Sequence, residues 1–376
     1  MSDLNKILVP KTFPLASTFG FDPKKVDPAI TVQGYEIPDP ATLGQDEAPY
    51  AQLLLSMVPA VDPLYHFRQD IVQAIYYWYL TGEDVLMLWG PTGSGKTSAW
   101  EQFCARLGIP MTTMKGHRDF KDHEAFGQMS LVDGRTTHIP GPATMAAEFG
   151  IPCVCNEFDR IPASRTVAFN DIFEGRPFPV PGRFPQMVSQ RPGCRFVITA
   201  NTNMVEDLTG NYSTAVTHDI SILERMYAVR VDYPSAEFEH EMLAKAIAGF
   251  DDNFLRYFCD AQRLKIKTAS GMKQGSAINR SELIDAAIQV ATATRAQSKD
   301  GGNTADNALE RTMSSRMLVK WFVNALKHAA SADKLGKSAL HIALDKYLAS
   351  LATESTRLAL HHFVEGIFGV GELITD

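Results

Sequence analysis

Apolar positions follow two different patterns along this chain, and the pattern changes near Tyr233-Pro234. Before that point, Val85 to Trp89 is a short continuous apolar run, Pro110 to Lys115 looks like the next strand, and Ile151 to Cys155, Arg195 to Ala200 and Ala228 to Val231 read as further buried strands. A run of this length with no polar face predicts a strand buried on both sides, as in a parallel sheet. A helical segment at 67 to 81, stopped by Gly82, precedes the first run, and another at Ser98 to Leu107, closed by Gly108, follows it. Strands alternating with helices predict an α/β core with a parallel sheet. After residue 234 the spacing turns helical over Ala236 to Phe250, Asp252 to Gln262, Ser281 to Ala293, Ser315 to Ala330 and Ser338 to Phe368. Ser298 to Asn307 is a loop by composition. No internal repeat is visible.

Residues 1 to about 60 break both patterns, with prolines at 10, 14, 23, 28, 38, 40 and 49. Proline blocks helix interiors and ladder hydrogen bonds, which predicts an extended arm with little regular structure. Its apolar residues Phe13, Phe19, Phe21, Ile30, Val32 and Tyr35 predict that the arm lies against a folded surface, its own or a neighbour's. The expected organisation is an arm (1–60), an α/β core (61–234) and a helical lid with C-terminal helices (235–376).

Composition narrows the class. An apolar content of 45% suits a packed globular chain of 376 residues. A formal charge of −7 argues against a general nucleic-acid binder, while leaving room for a local basic channel. The most apolar stretch, Ile71 to Leu80, is about half a membrane span, and Met1 to Pro10 lacks an apolar signal core. Cys104, Cys153, Cys155, Cys194 and Cys259 show no paired metal spacing. Cys153 and Cys155 alternate on a predicted strand, so both point to one buried face. A reduced cytoplasm is the expected setting.

The chemistry concentrates at the ends of the predicted strands. Gly90-Pro91-Thr92-Gly93-Ser94-Gly95-Lys96-Thr97 fits the phosphate-loop pattern G-x-x-x-x-G-K-[ST] at every fixed position. Its glycines let backbone N–H groups converge on phosphate oxygens, and the following helix directs its positive end at the same anion. Lys96 reaches the β- and γ-phosphates of ATP, and the Thr97 hydroxyl ligates Mg²⁺. The 151–155 strand ends in Asn156-Glu157-Phe158-Asp159-Arg160. Glu157 is the candidate general base for an attacking water, and Asn156 the candidate metal-side residue. An amide accepts a hydrogen bond from metal-bound water but supplies no negative charge. A solvated strand end is the plainer reading of Glu157 and Asp159. Asn201, after Arg195 to Ala200, is placed to position the lytic water, or else starts a turn. Arg225 is placed to reach a neighbouring subunit's nucleotide, or else forms a surface ion pair. Arg316, in the first turn of a helix capped by Ser314 or Ser315, opposes the helix dipole; a phosphate facing it would account for that.

These motifs, in this order and spacing, resemble AAA+ proteins of the MoxR type, and within that group the ATPase subunits of aerobic cobaltochelatase, CobS. The likeness covers roughly residues 55 to 370. It includes Val61-Asp-Pro-Leu-Tyr-His-Phe, Thr199-Ala-Asn-Thr, Leu208-Thr-Gly-Asn-Tyr, Leu223-Glu-Arg-Met, Met313-Ser-Ser-Arg-Met-Leu-Val-Lys-Trp and His362-Phe-Val-Glu-Gly-Ile-Phe-Gly. The resemblance implies a five-stranded core with a helical lid and assembly into a hexameric ring. It implies Glu157 as catalytic, Asn201 as sensor 1, Arg225 as the trans arginine finger and Arg316 as sensor 2. It further implies a partner with a von Willebrand factor A domain, and insertion of Co²⁺ into a corrin. Gly127 to His138 resembles that group's helix 2 insert, a hairpin turning at Asp133-Gly134. Gly175 to Arg191 resembles its pre-sensor 1 hairpin. Asn156, in place of the usual Asp, departs from the pattern.

The sequence therefore points to a ring-forming remodelling ATPase using ATP and Mg²⁺. The alternatives are a nucleic-acid motor, with His117, Arg118, Lys121 or Arg135 lining a pore, and a nucleotide-binding scaffold with weak hydrolysis. The lack of a basic-aromatic stripe speaks against the motor. Adjacent His361 and His362 cannot face one way on a helix, so they are read as structural.

Overall fold

The computed structural model describes residues 6–82, 84–180, 182–184, 186–205, 215–298 and 308–372. The segments Leu208 to Tyr212 and most of the 298–307 loop, both singled out above, lie outside the described residues. The chain forms two compact units. One is built from residues up to Val231; the other begins at Asp232 and also takes in Pro91–Ser94.

The first 60 residues hold more regular structure than proline content predicts. Strands β1 (Val9–Pro14) and β2 (Thr31–Glu36) pair antiparallel, with a short helix Leu15–Phe19 after β1 and a helix Ala48–Met57 beyond. The prolines occupy positions where no N–H is required: Pro10 and Pro14 in a two-stranded ribbon, Pro49 in the first turn of a helix. The apolar residues between them pack on the chain's own core. The Phe19 ring stacks on Phe103 at 5.2 Å and meets Phe67 edge-on at 4.9 Å.

The core sheet uses β3 (Val85–Trp89), β4 (Thr112–Lys115), β7 (Pro152–Asn156), β10 (Arg195–Ala200) and β11 (Met226–Arg230). Between them fall the hairpins β5 (Gly127–Val132) with β6 (Arg135–Pro140) and β8 (Phe178–Pro179) with β9 (Met187–Val188). The five core strands are parallel in the order β11-β3-β10-β7-β4, the parallel sheet expected from strands alternating with helices. Strand alternation divides the side chains between two cores. Val85, Met87, Cys153, Cys155, Phe196 and Ile198 enter one, while Leu86, Leu88, Val154 and Val197 enter the other. Each buried Val, Leu, Ile, Met or Phe among them contributes roughly 1.5–3 kcal/mol. Cys153 and Cys155 do share a face, and burial pushes the Cys153 thiol up to about 12.

Asp133 and Gly134 both take left-handed angles (φ 49° and 75°), the two-residue turn that the β5–β6 hairpin needs. The helix after the phosphate loop runs Lys96–Leu107, starting two residues earlier than the periodicity predicts, because Lys96 and Thr97 themselves form its first turn.

The second unit is mainly helical: Ala236–Ala246, Asp252–Ala261, Arg280–Ala296, Ser315–Lys334, Ala339–Tyr347 and Glu354–Phe368. Two features depart from the expectation. A hairpin of β12 (Lys265–Thr268) and β13 (Gly271–Gln274) stands where no strand was read. The stretch 338–368 is two helices, broken around Leu348 (φ −137°) and a 3₁₀ turn at Ala349–Leu351. Glu239, 1% exposed, is held by both terminal nitrogens of Arg295 (2.7 and 2.9 Å) and by the Ser315 hydroxyl at 2.6 Å. A carboxylate so deep in the unit is retained because all these donors meet it. Among the described residues, no helix is long and apolar enough to cross a membrane.

Candidate functional site

The site is assembled at the C-terminal ends of β3, β7 and β10, where open parallel sheets place their ligands. Gly90 follows β3 with φ 144°, and a Cβ there would lie 2.4 Å from the Val231 carbonyl oxygen, so no other residue fits. Gly93 and Gly95 are also left-handed (φ 78° and 97°). The helix that follows opens on Gly95, without a side-chain cap and without an acid in its first turn. Its positive end is therefore not neutralised by its own sequence. Ser94 is 5% exposed, and its hydroxyl has no hydrogen-bond partner among the described residues. These features suit a polyphosphate: a glycine cradle, an uncapped helix start and an unsatisfied buried hydroxyl.

Two hydrogen bonds tie this loop to the neighbouring strand ends. The Lys96 ammonium, 8% exposed, donates to the Gly90 carbonyl at 2.7 Å and to Asn201 Oδ1 at 3.1 Å. The Thr97 hydroxyl donates to Asn156 Oδ1 at 2.9 Å, and the Thr199 hydroxyl donates to the same oxygen at 3.2 Å. Lys96, Thr97, Asn156 and Asn201 thus come together, although 105 residues separate Lys96 from Asn201. Thr97 and Asn156 are both neutral, so this pair of oxygens brings no charge to the site.

Glu157 sits at the turn out of β7, in the left-handed region at φ 57°. Its carboxylate pairs with Arg160 Nη1 at 3.0 Å and Lys115 Nζ at 3.7 Å, and its side chain is 29% exposed. The left-handed turn is a strained geometry of the kind that gathers at working sites. Asp159 is not a solvated strand end: it is 1% exposed and accepts the backbone N–H groups of Asn201 (2.8 Å) and Thr202 (3.1 Å). Burial raises its pKa, and those N–H bonds oppose the rise. The sequence signal for this inward turn is slight, because the 3₁₀ turn Phe158–Arg160 that swings Asp159 inward has no periodicity to read.

Arg225 follows the short helix Ile220–Leu223 and is bound within its own chain. Its Nε donates to Glu174 Oε1 at 2.6 Å, its Nη2 bonds the same oxygen and its Nη1 bonds the Ser221 carbonyl. Arg176 holds the other Glu174 oxygen. Glu174 was not singled out from sequence. Arg316 is exposed in the first turn of Ser315–Lys334, in the second unit, where Ser314 accepts the Met317 N–H as the N-cap. His361 is buried and His362 exposed, as adjacent helical positions require. Among the described residues no group of three or more His, Cys, Asp or Glu could hold a metal ion.

The fold and this constellation define a phosphate-loop nucleotide-binding domain, and comparison with known proteins places it more narrowly. Residues 85–216 match the family described as AAA domain (dynein-related subfamily). This stretch is therefore an AAA domain. The chain is 27% identical over 186 residues to Protein NorQ of Paracoccus denitrificans, a match covering 50% of this chain and 66% of NorQ. It is 27% identical over 183 residues to Protein CbbQ of Hydrogenophilus thermoluteolus, covering 49% of this chain and 66% of CbbQ. It is 22% identical over 256 residues to Gas vesicle ATPase GvpN of Haloferax mediterranei, covering 59% of this chain and 72% of GvpN. The matches to NorQ and CbbQ thus span just under two thirds of those relatives' own length.

Proposed function

We propose that this chain is a ring-forming AAA+ ATPase that couples Mg-ATP hydrolysis to remodelling of a partner protein. The observation that carries the reading is the joining of the phosphate loop to two strand ends, Lys96 to Asn201 and Thr97 to Asn156. A glycine-rich turn with only a structural role has no need of a buried lysine and two convergent amides. Mg²⁺, when bound, neutralises charge on the β- and γ-phosphate oxygens. The chain's own residues do the rest. Gly90, Pro91, Thr92, Gly93, Ser94 and Gly95 supply the cradle, and Lys96 binds the terminal phosphates. Thr97 and Asn156 would hold the metal. Glu157 orients or deprotonates the attacking water, and Asn201 positions it. Arg225 of one subunit acts on the nucleotide of the next, and Arg316 is its counterpart from the helical unit. GvpN carries ATPase in its name, which supports hydrolysis over simple binding.

The test is steady-state ATP turnover with Mg²⁺ by the assembled protein. Lys96→Ala is expected to abolish nucleotide retention. Glu157→Gln is expected to retain ATP and lose turnover by about 10²-fold or more. Equal, near-zero turnover in wild type and Glu157→Gln would favour the scaffold reading instead. The finer reading, a CobS-like hexamer working with a von Willebrand factor A domain protein on a corrin substrate, is supported by the sequence resemblance. Co-purification with such a partner, followed by a Co²⁺ insertion assay, tests it.

A further inference from the structure

We propose that Asp159 is the positioning residue for Asn201, fixing the amide that meets Lys96. The proposal rests on the reading of Asn201 as part of an ATP-hydrolysing site. Asp159 Oδ2 accepts three hydrogen bonds, from Asn201 N (2.8 Å), Thr202 N (3.1 Å) and the Thr202 hydroxyl (3.3 Å). All three come from the two residues that follow β10. The carboxyl is 1% exposed, its Oδ1 has no hydrogen-bond partner and it forms no ion pair among the described residues. A carboxylate buried without a cation is costly, and packing alone would favour an apolar residue there. What the carboxylate obtains is one specific geometry: two successive backbone N–H groups aimed at one oxygen.

That geometry reaches the site directly. Fixing the Asn201 backbone fixes the point from which its side chain reaches out, and its Oδ1 lies 3.1 Å from Lys96 Nζ. The same residue also holds the chain on its return. The Asp159 carbonyl accepts Val216 N–H at 2.7 Å, and the His218 N–H bonds the Met204 carbonyl at 3.0 Å. Met204 is buried in the left-handed region at φ 61°, and its N–H is taken by the Thr202 hydroxyl at 3.2 Å. Residues 215–219 then lead into the helix Ile220–Leu223 and to Arg225. Asp159 therefore ties the Lys96-binding amide and the segment that carries Arg225 to a single buried turn.

The experiment is a double-mutant cycle between positions 159 and 201, with kcat and KM for ATP measured in the full-length assembled protein. Asp159→Ala is expected to lower kcat by about tenfold or more, with KM changed by less than about threefold, because misplacing a catalytic group acts on the chemical step. Asp159→Asn, which keeps an acceptor oxygen, is expected to recover most of the loss. In an Asn201→Ala background, Asp159→Ala is expected to slow turnover no further. A loss that multiplies in that background, or one that appears wholly in KM, overturns the proposal. Thr202→Val removes one donor to the same oxygen and carries the same cycle if Asp159→Ala does not fold. A wild-type protein that turns over no ATP overturns the functional reading instead. Hydrogen exchange then decides the positioning claim. Faster exchange at Asn201 and Thr202 in Asp159→Ala but not in Asp159→Asn supports it, and unchanged exchange in both overturns it.

Discussion

The Thr97 hydroxyl donates to Asn156 Oδ1 at 2.9 Å, closing the phosphate loop onto the end of β7 across 59 residues of sequence. Asn156 carries no charge, and in the function proposed above it stands beside Mg²⁺. In Asn156→Asp the Thr97 hydroxyl still has an acceptor, and one negative charge is added beside the metal. The Mg²⁺ concentration giving half-maximal turnover is expected to fall by about fivefold or more. A magnesium titration of both proteins measures this, and an unchanged midpoint would show that position 156 does not face the metal.

Arg225 is paired in cis with Glu174, both about one quarter exposed. An ion pair of that exposure contributes about 0.5–1 kcal/mol, so Arg225→Ala should barely alter the melting temperature. Its effect on turnover should be far larger, about 10²-fold or more, if the arginine acts on the next subunit's nucleotide. Mixing separates cis from trans action. Arg225→Ala and Glu157→Gln are each inactive alone, yet a one-to-one mixed ring is expected to regain activity at about a quarter of its sites, because each variant supplies what its neighbour lacks. No recovery on mixing would place Arg225 outside the intersubunit chemistry.

Acid should weaken both units through buried histidines. In the second unit the His341 and His361 rings stack 3° from parallel with Nδ1 to Nδ1 at 2.6 Å, and His341 Nε2 meets the Val370 carbonyl at 2.8 Å. Burial holds the His341 pKa below its ordinary 6.5, with His361 lowering it further; the Val370 bond and the charges of Glu372 and Glu365 oppose the shift. Burial also lowers His218 in the first unit, against Asp219. The unfolded chain then binds these protons at higher pH than the folded chain. Their stabilising contribution is complete above pH 6.5 and is lost as pH falls through the folded values. Asp345 adds a lower window. Burial raises its pKa, but hydrogen bonds from Arg357 and His361 outweigh that and leave it below 3.8, so its contribution is lost further down. Melting temperatures between pH 7.5 and 5.5 should decline, and less steeply in His341→Gln. A rise on acidification would contradict the argument.

The N-terminal segment belongs to the core of its own chain. A Cβ on Gly34 of β2 would lie 2.1 Å from the Leu107 carbonyl oxygen, at the end of the helix that the phosphate loop begins. Gly34→Ala is expected to destabilise the protein by about 1–3 kcal/mol, because backbone cannot give way as a side-chain tip can. Thermal melts of the two proteins check this, and an unchanged melting temperature would show that β2 is not packed there.

The sequence alone determined the sheet and the phosphate loop. The apolar runs of β3, β7 and β10 read as strands buried on both faces, and the spacing from Gly90 to Thr97 admits few other structures, because both signals are local and each residue carries its share; β11 and β4, at the two edges of the sheet, keep exposed residues. The change of period near residue 234 falls close to Asp232, from which the chain runs on in the second unit. Proline content misled about the first 60 residues: it reports where N–H groups are absent, and says nothing of whether the chain around them can pair as β1 and β2 do. Only the tertiary structure decided which polar groups share the site. That Asp159 turns inward to hold Asn201, that Lys115 and Arg160 flank Glu157, and that Glu174 holds Arg225 depend on strand order and on one 3₁₀ turn. Such contacts join residues up to 51 positions apart and leave no repeating trace in the chain, since a single buried carboxylate looks the same in sequence as a solvated one.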